Sequence, residues 1–363
     1  MLIDISTSTP PYKVIQEKAA SELKKRMANK PVIGRLIDMA SVHSGIESRY
    51  IVIPDAEEDT ESKFYSNNGS YINPGTQIRM MEYEKWSKKL AKDAVSKLLA
   101  DNKFNPSEID RIITISCTGF FAPGLDYYLM NEFNIPFTAK RINIGFMGCA
   151  ASIIGFNSVF ESVNSTAGSA LNTLLVSVEL CSLHLQTEPS RDNILANMIF
   201  ADGCAAALFS NMNGASSTKL EIISTKSILF KNSAEFMGWK IGNFGFEMIL
   251  SSELPKIILN EAVPALKNLL LKDGIDTDKI KLWALHPGGR AILDALQKGL
   301  NLSEEKMIHS RNVLREYGNM SSASILFVLK EILNSGDLMR DDLCCAVAFG
   351  PGLTMEIAVL KGV

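Results

Sequence analysis

A basic surplus is missing from this sequence. Lys and Arg total 37 against 40 for Asp and Glu, a net charge of −3, so the electrostatic footprint that binds a phosphate backbone is absent and no nucleic-acid partner is expected. No uninterrupted apolar run approaches the roughly 18 residues of a membrane span. The start, MLIDISTSTPPYK, lacks the basic segment and apolar stretch of a secretory signal. The expectation is a cytoplasmic protein with no membrane span. Cys117, Cys149, Cys181, Cys204, Cys344 and Cys345 show no C-x-x-C spacing, which argues against a disulfide framework or zinc knuckle. They read as packing residues with one candidate reactive thiol, and no metal is called for.

What is present is a packed composition, 46% apolar and 21% charged over 363 residues, long enough for two units at roughly 150 residues each. The polar stretch Asn211 to Lys219 is the expected junction, dividing the chain into halves 1–215 and 216–363. Residues Glu57 to Gly75 read as a surface loop leading into a helix near Thr76. The halves resemble each other. FNPSEIDRIITISCTGFFAPG and GIDTDKIKLWALHPGGRAILDAL each run from a polar turn through an apolar strand into a glycine turn. Downstream, RINIGFMGCAASIIGFNSVFES and LREYGNMSSASILFVLKEI each pass through a Gly-bearing turn into a helix. Cys117 to Cys149 spans 32 positions and His286 to Asn319 spans 33, which pairs Cys117 with His286 and Cys149 with Asn319. The pattern predicts a duplicated, layered α/β fold whose turns converge on one site.

Cys149, in Gly145-Phe146-Met147-Gly148-Cys149-Ala150, sits at a predicted helix N-terminus, where the dipole and orphan N–H groups lower a thiol pKa. It is equally readable as a small hydrophobe in a tight corner. His286 ends an apolar strand ahead of Pro287-Gly288-Gly289, as a catalytic imidazole or an ordinary loop histidine. Asn319 is an oxyanion donor or a helix cap. Taken together, a thiol, an imidazole and an amide supply a nucleophile, its base and an oxyanion hole. Two chemistries use such a set. A papain-like hydrolase accommodates the 137 positions between Cys149 and His286, but its C-G-[SA]-C-[WY] signature is missing. The duplication favours a carbon–carbon bond-forming, thiolase-type enzyme.

Three strings carry a resemblance to a known family: His286-Pro287-Gly288-Gly289 with Ala291-Ile292-Leu293-Asp294, Glu316-Tyr317-Gly318-Asn319-Met320-Ser321-Ser322-Ala323, and Phe349-Gly350-Pro351-Gly352-Leu353-Thr354. The chain resembles the type III polyketide synthases, the chalcone and stilbene synthase family, from about Thr9 to its end. The resemblance implies a thiolase-like duplicated αβαβα layered fold. It also implies an acyltransferase that condenses malonyl-CoA iteratively onto an acyl-CoA starter and cyclises the product to a pyrone, resorcinol or phloroglucinol. Cys149 is then the acyl carrier, and His286 with Asn319 promotes decarboxylation and holds the enolate. No bound cofactor is implied, since coenzyme A thioesters are the substrates. A single-condensation β-ketoacyl synthase III shares the three residues without the second and third strings. A non-catalytic CoA-binding paralogue would have lost one of the three.

The family pattern puts Phe200, Met248, Cys117, His184, Phe349 and Gly350 on the substrate cavity. Met248 replaces a Phe of the plant enzymes, and Cys117 and His184 replace Thr, so an aromatic starter does not follow. Family members are homodimers in which the residue before a loop Pro reaches the partner's cavity; that residue is Ala122 here. Arg290 and Ala291 fall at the CoA-contacting position, while Arg35 and His43 are approximate matches to the upstream CoA-binding cations.

Overall fold

Apolar side chains fall on both faces of most strands, so the strands need helices on both sides. The computed structural model describes residues 1–27, 30–56, 63–67, 70–165, 171–211 and 219–363. Among these, nine strands form one sheet, in the order Ile280–Leu285, Leu343–Gly350, Thr354–Gly362, Leu220–Leu229, Leu2–Ser8, Asp202–Ser210, Asn172–Leu180, Arg111–Ser116 and Lys140–Gly145. Leu2–Ser8 and Leu220–Leu229 meet only at Leu2 and Leu220, so the sheet is two half-sheets joined at one residue pair. Read outward from that joint, each half has two antiparallel pairings and then a parallel one. The first half carries Lys140–Gly145 as an additional edge strand.

Neighbouring strand residues split between separate cores. Ile113 and Leu175 pack in one core with Leu282 and Ala346 of the other half-sheet, around helices Ala151–Ser165 and Ser324–Ser335. Ile112 and Leu174 face the helix Thr76–Asn102, and Cys345 and Val347 face the helices Val263–Lys272 and Arg290–Leu300. The result is helix, sheet, two central helices, sheet, helix: the αβαβα layering. The 215/216 boundary falls in 212–218, outside the described residues. The helix starts at Thr76 as expected, but the stretch before it is not all surface, because Tyr65 is fully buried and donates to the Ser182 carbonyl at 2.9 Å.

One expected equivalence is shifted. Cys149 lies in the turn Gly148–Ala150, directly ahead of its helix, whereas the matching turn of the other half is Ser321–Ala323. Gly148 and Ser321 both have positive φ, 58° and 46°. Ser322 therefore occupies the place of Cys149, and Asn319 enters two residues before the turn. Counting along the sequence missed this because the connections ahead of the two turns differ in length.

The Phe349 to Leu353 loop packs against the Cys149 turn through two glycines. A Cβ on Gly148 would lie 2.4 Å from Pro351 Cδ, and one on Gly350 would lie 2.5 Å from the Met147 carbonyl oxygen. Gly350 thus permits a backbone approach and is not the cavity-lining residue that the resemblance implied. Gly350→Ala is expected to destabilise the protein by about 1–3 kcal/mol, the usual cost of overpacking, measured by denaturant unfolding; an unchanged midpoint would show that the loop yields freely.

Candidate active site

The turn carrying Cys149 reverses direction at Phe146 and Gly148, both with φ of 58°. It leaves the thiol buried, 8% exposed, with Sγ donating to Ser321 Oγ at 3.6 Å. His286 follows strand Ile280–Leu285. Its backbone N–H continues the sheet to the Val347 carbonyl at 2.9 Å, and its own carbonyl accepts from Gly288 at 2.8 Å. The ring is 3% exposed, and neither Nδ1 nor Nε2 has a hydrogen-bond partner. A buried imidazole normally has both nitrogens satisfied, so this one stands apart from the other buried polar groups of the site.

Asn319 is fixed on every side. Its Oδ1 accepts from Ser321 N–H at 2.8 Å, the capping role, and its Nδ2 donates to the Gly288 carbonyl at 3.2 Å. One amide hydrogen is thereby used, and the amide also favours the Cys149 thiolate through a hydrogen bond. Its backbone pairs with the segment around Phe200: Asn319 N–H donates to Ile199 at 2.9 Å, and its carbonyl accepts from Ala201 at 2.8 Å. Arg49, which the sequence gave no reason to single out, anchors that segment by donating from Nη1 to the carbonyls of Asn197 and Phe200, both at 2.7 Å.

Cys149, His286 and Asn319 line one cavity of about 1560 Å³, open mouth included, together with Phe200, Met248 and Phe349. Arg290, Ala291 and His43 are at its mouth. Arg290 is half-exposed, 3.6 Å from Asp294. Arg35, one of the approximate CoA-binding cations, is exposed on helix Pro31–His43 and is not part of the lining; Arg191, overlooked in the sequence, is. Inward, a smaller chamber of about 370 Å³ is bounded by Cys117, Cys149, Cys181, Trp239, Met248 and Ser321. Cys181 and Trp239 carried no local motif and were legible only as ordinary core residues.

His184 is held by the backbone on two sides. Its Nε2 is 2.7 Å from the Thr118 carbonyl, its Nδ1 accepts from Phe246 N–H at 3.0 Å, and its ring stacks on Phe246 at 4.2 Å. Both nitrogens are engaged, and the ring lies beside Trp239, outside the chamber lining but on the wall of an adjoining cavity that Cys181, Phe200 and Met248 also face. Ala122 is exposed in a loop away from this chain's own cavity. Glu179 lies beneath the chamber and accepts from Cys117 N–H, Thr118 Oγ1 and Ser322 Oγ.

Electrostatically the site is dry. Burial pushes the Cys149 thiol up to about 12, against a smaller lowering from the Ser321 hydrogen bond. Burial also pushes His286 down to about 3. The lowered thiol pKa expected from a helix N-terminus is therefore reversed: the thiol stands in the turn ahead of the helix, and loss of solvent outweighs the dipole. At rest the pair is a neutral thiol and a neutral imidazole. All six cysteines are free and buried. Among the described residues no helix is long and apolar enough to cross a membrane.

Residues 221–363 match the family described as chalcone and stilbene synthases, C-terminal domain, and residues 65–227 match the FAE1/type III polyketide synthase-like protein family. The α-pyrone synthesis polyketide synthase-like Pks18 of Mycobacterium tuberculosis is 31% identical, over 74% of this chain and 68% of its own length. The 1,3,6,8-tetrahydroxynaphthalene synthase of Streptomyces coelicolor is 29% identical, over 98% of this chain and 90% of its own. Its crystal structure superposes with a TM-score of 0.88, covering 99% of both chains. PKS-I of the brown alga Ectocarpus siliculosus superposes at 0.91 with 28% identity, covering 100% of this chain and 98% of that one.

The neutral resting pair sets a pH dependence. Below its pKa a thiol's reactive thiolate fraction grows about tenfold per pH unit, so iodoacetamide modification of Cys149 should keep accelerating from pH 7 to pH 9. A rate that plateaus below pH 8 would instead reveal a preformed thiolate–imidazolium pair.

Proposed function

Given that this chain belongs to the type III polyketide synthases, the chalcone and stilbene synthase family, we propose that Cys149 carries the acyl chain while His286 and Asn319 decarboxylate malonyl-CoA and hold the enolate. The enzyme is an acyltransferase that acts on CoA thioesters, condensing malonyl-CoA iteratively and cyclising the product. The observation that carries the residue roles is the convergence of the three side chains on one cavity, with both His286 nitrogens buried and unpartnered.

Acyl transfer begins as Cys149 Sγ attacks the starter thioester carbonyl and its proton passes to His286; CoA departs and takes that proton as its free thiol. Malonyl-CoA then enters, its thioester oxygen accepting from Asn319 Nδ2 and from the His286 ring as charge develops there. The carboxylate leaves as CO₂ and its electron pair becomes the enolate. The enolate carbon attacks the Cys149 thioester, forming the C–C bond, and the C–S bond breaks to return the thiolate. The extended chain, now on CoA, reloads Cys149 for the next round. Loss of CO₂ drives each condensation, so the scheme requires no bound cofactor.

Arg290 and Ala291 at the mouth are the proposed CoA contacts, with Arg290 suited to phosphate oxygens through its forked donors. Ring closure follows the pyrone, resorcinol or phloroglucinol pattern. We further propose a cytoplasmic homodimer. Phe120, 57% exposed beside Ala122, and the half-open edge strand Lys140–Gly145 form the face that a second copy would cover. Ala122 would reach the partner's cavity with only a short side chain.

Cys149→Ala should abolish condensation yet keep converting malonyl-CoA to acetyl-CoA. Asn319→Ala should slow that decarboxylation by the roughly 2.7–4 kcal/mol lost with an oxyanion donor. Normal decarboxylation in Asn319→Ala would leave Asn319 as a turn cap alone.

A further inference from the structure

The helix Pro31–His43 is apolar on its outer side as well as its inner one. Inward, Ile37 is fully buried and packs with Ile33 and Ala40 against Ala20, Leu23, Ile194 and Met198. Outward, Val32, Leu36, Met39 and Val42 stand 60%, 40%, 59% and 74% exposed. Their spacing of four, three and three residues lines them up as one stripe. The neighbouring helix Gln16–Met27 has an ordinary solvent face, since its exposed positions are Glu17, Lys18, Ser21 and Lys25. A run of exposed apolar side chains rimmed by charge marks a contact surface. Here the rim is basic. Arg35 lies within the stripe and Lys30 just precedes the helix, both exposed; Arg191, also exposed, stands with Leu36 and Met39 around the mouth of the cavity that holds Cys149. Among the described residues none of these three cations is in an ion pair, whereas Asp38, the one carboxylate of the helix, is neutralised by Lys24 at 2.7 Å. No Asp or Glu among the described residues lines that cavity.

We propose that this lip docks on the surface of an anionic lipid bilayer, with Val32, Leu36, Met39 and Val42 entering the boundary between head groups and acyl chains and Lys30, Arg35 and Arg191 lying against lipid phosphates. The protein then rests on a membrane and does not span one. Apolar burial and attraction to anionic head groups act together on such a helix, and the stripe and its unpaired cations supply one each. A second copy of the chain fits less well, because a two-fold contact brings the same patch, and so the same cations, together. The dimer face at Phe120 and Lys140–Gly145 uses none of these residues. Docking on the stripe places the mouth of the Cys149 cavity at the boundary between lipid and water. The inference stands on this surface alone and does not depend on the catalytic roles.

Vesicle flotation with the full chain tests it. Vesicles of phosphatidylcholine with about 30% phosphatidylglycerol should bind the protein roughly tenfold or more tightly than pure phosphatidylcholine, and raising NaCl from about 0.1 to about 0.5 M should release it. Arg35→Gln should weaken binding to the anionic vesicles about fivefold, the worth of one cation near such a surface, and leave the neutral ones unaffected. Val32→Glu combined with Val42→Glu, neither of which lines the cavity, should cut binding roughly tenfold or more with the thermal midpoint unchanged. No binding to anionic vesicles, equal binding to both lipids, or a valine variant that binds like the original would overturn the proposal. So would a valine variant that turns a dimer into a monomer in sedimentation without lipid, because the stripe would then be covered by a second copy.

Discussion

Asn319 faces Cys149 and His286 because its backbone is paired across the two halves of the protein to the residues on either side of Phe200. That short bridge fixes the Asn319 amide and a cavity wall in one geometry, so neither can shift without the other. Arg49 secures it from below through the carbonyls of Asn197 and Phe200. Gly318 makes room for this arrangement, since a Cβ there would lie 2.8 Å from Arg49 Cγ and the residue has φ of 70°. Burying a guanidinium is costly, and desolvation lowers Arg49 to about 10, partly opposed by Asp202. Carbonyl acceptors at the end of helix Arg191–Ile199 offset that cost, as a cation near a helix C-terminus does.

In the proposed scheme the same exclusion of water governs the chemistry. A carboxylate brought against Phe200, Met248 and Phe349 gives up hydration, whereas the CO₂ it becomes has little to lose. In the proposed scheme the charge that stays behind moves onto the thioester oxygen, toward Asn319 Nδ2 and the unpartnered His286 ring. Fixed dipoles in a low-dielectric pocket need no reorganisation at the moment of reaction. The raised thiol and lowered imidazole pKa values are the resting-state expression of that environment.

The strands and the long helix from Thr76 are legible in the sequence because local alternation and spacing determine them. Cys149, His286 and Asn319 stand out for a related reason: each sits at a glycine-marked turn next to a regular element. The features that escaped are those made by contacts distant in sequence. Ser322, and not Asn319, mirrors Cys149 because the lengths of the connections differ between halves. His184 is held in place by Thr118 and Phe246. Trp239 and Cys181 become walls only when the hairpin Met237–Leu250 folds over the chamber, with Trp239 Nε1 donating to the Cys117 carbonyl at 2.7 Å. No spacing rule conveys those placements, nor the desolvation that inverts the expected thiol pKa.

Three cysteines border the chamber, Cys117, Cys149 and Cys181, so the central claim is that only one of them carries the acyl group. Incubating the enzyme with an acyl-CoA in the absence of malonyl-CoA, then quenching in acid and mapping peptides by mass spectrometry, addresses it directly. The account predicts one acyl group per chain, on the peptide containing Cys149, formed more slowly in His286→Ala. An adduct on Cys117 or Cys181 with Cys149 unmodified would contradict it.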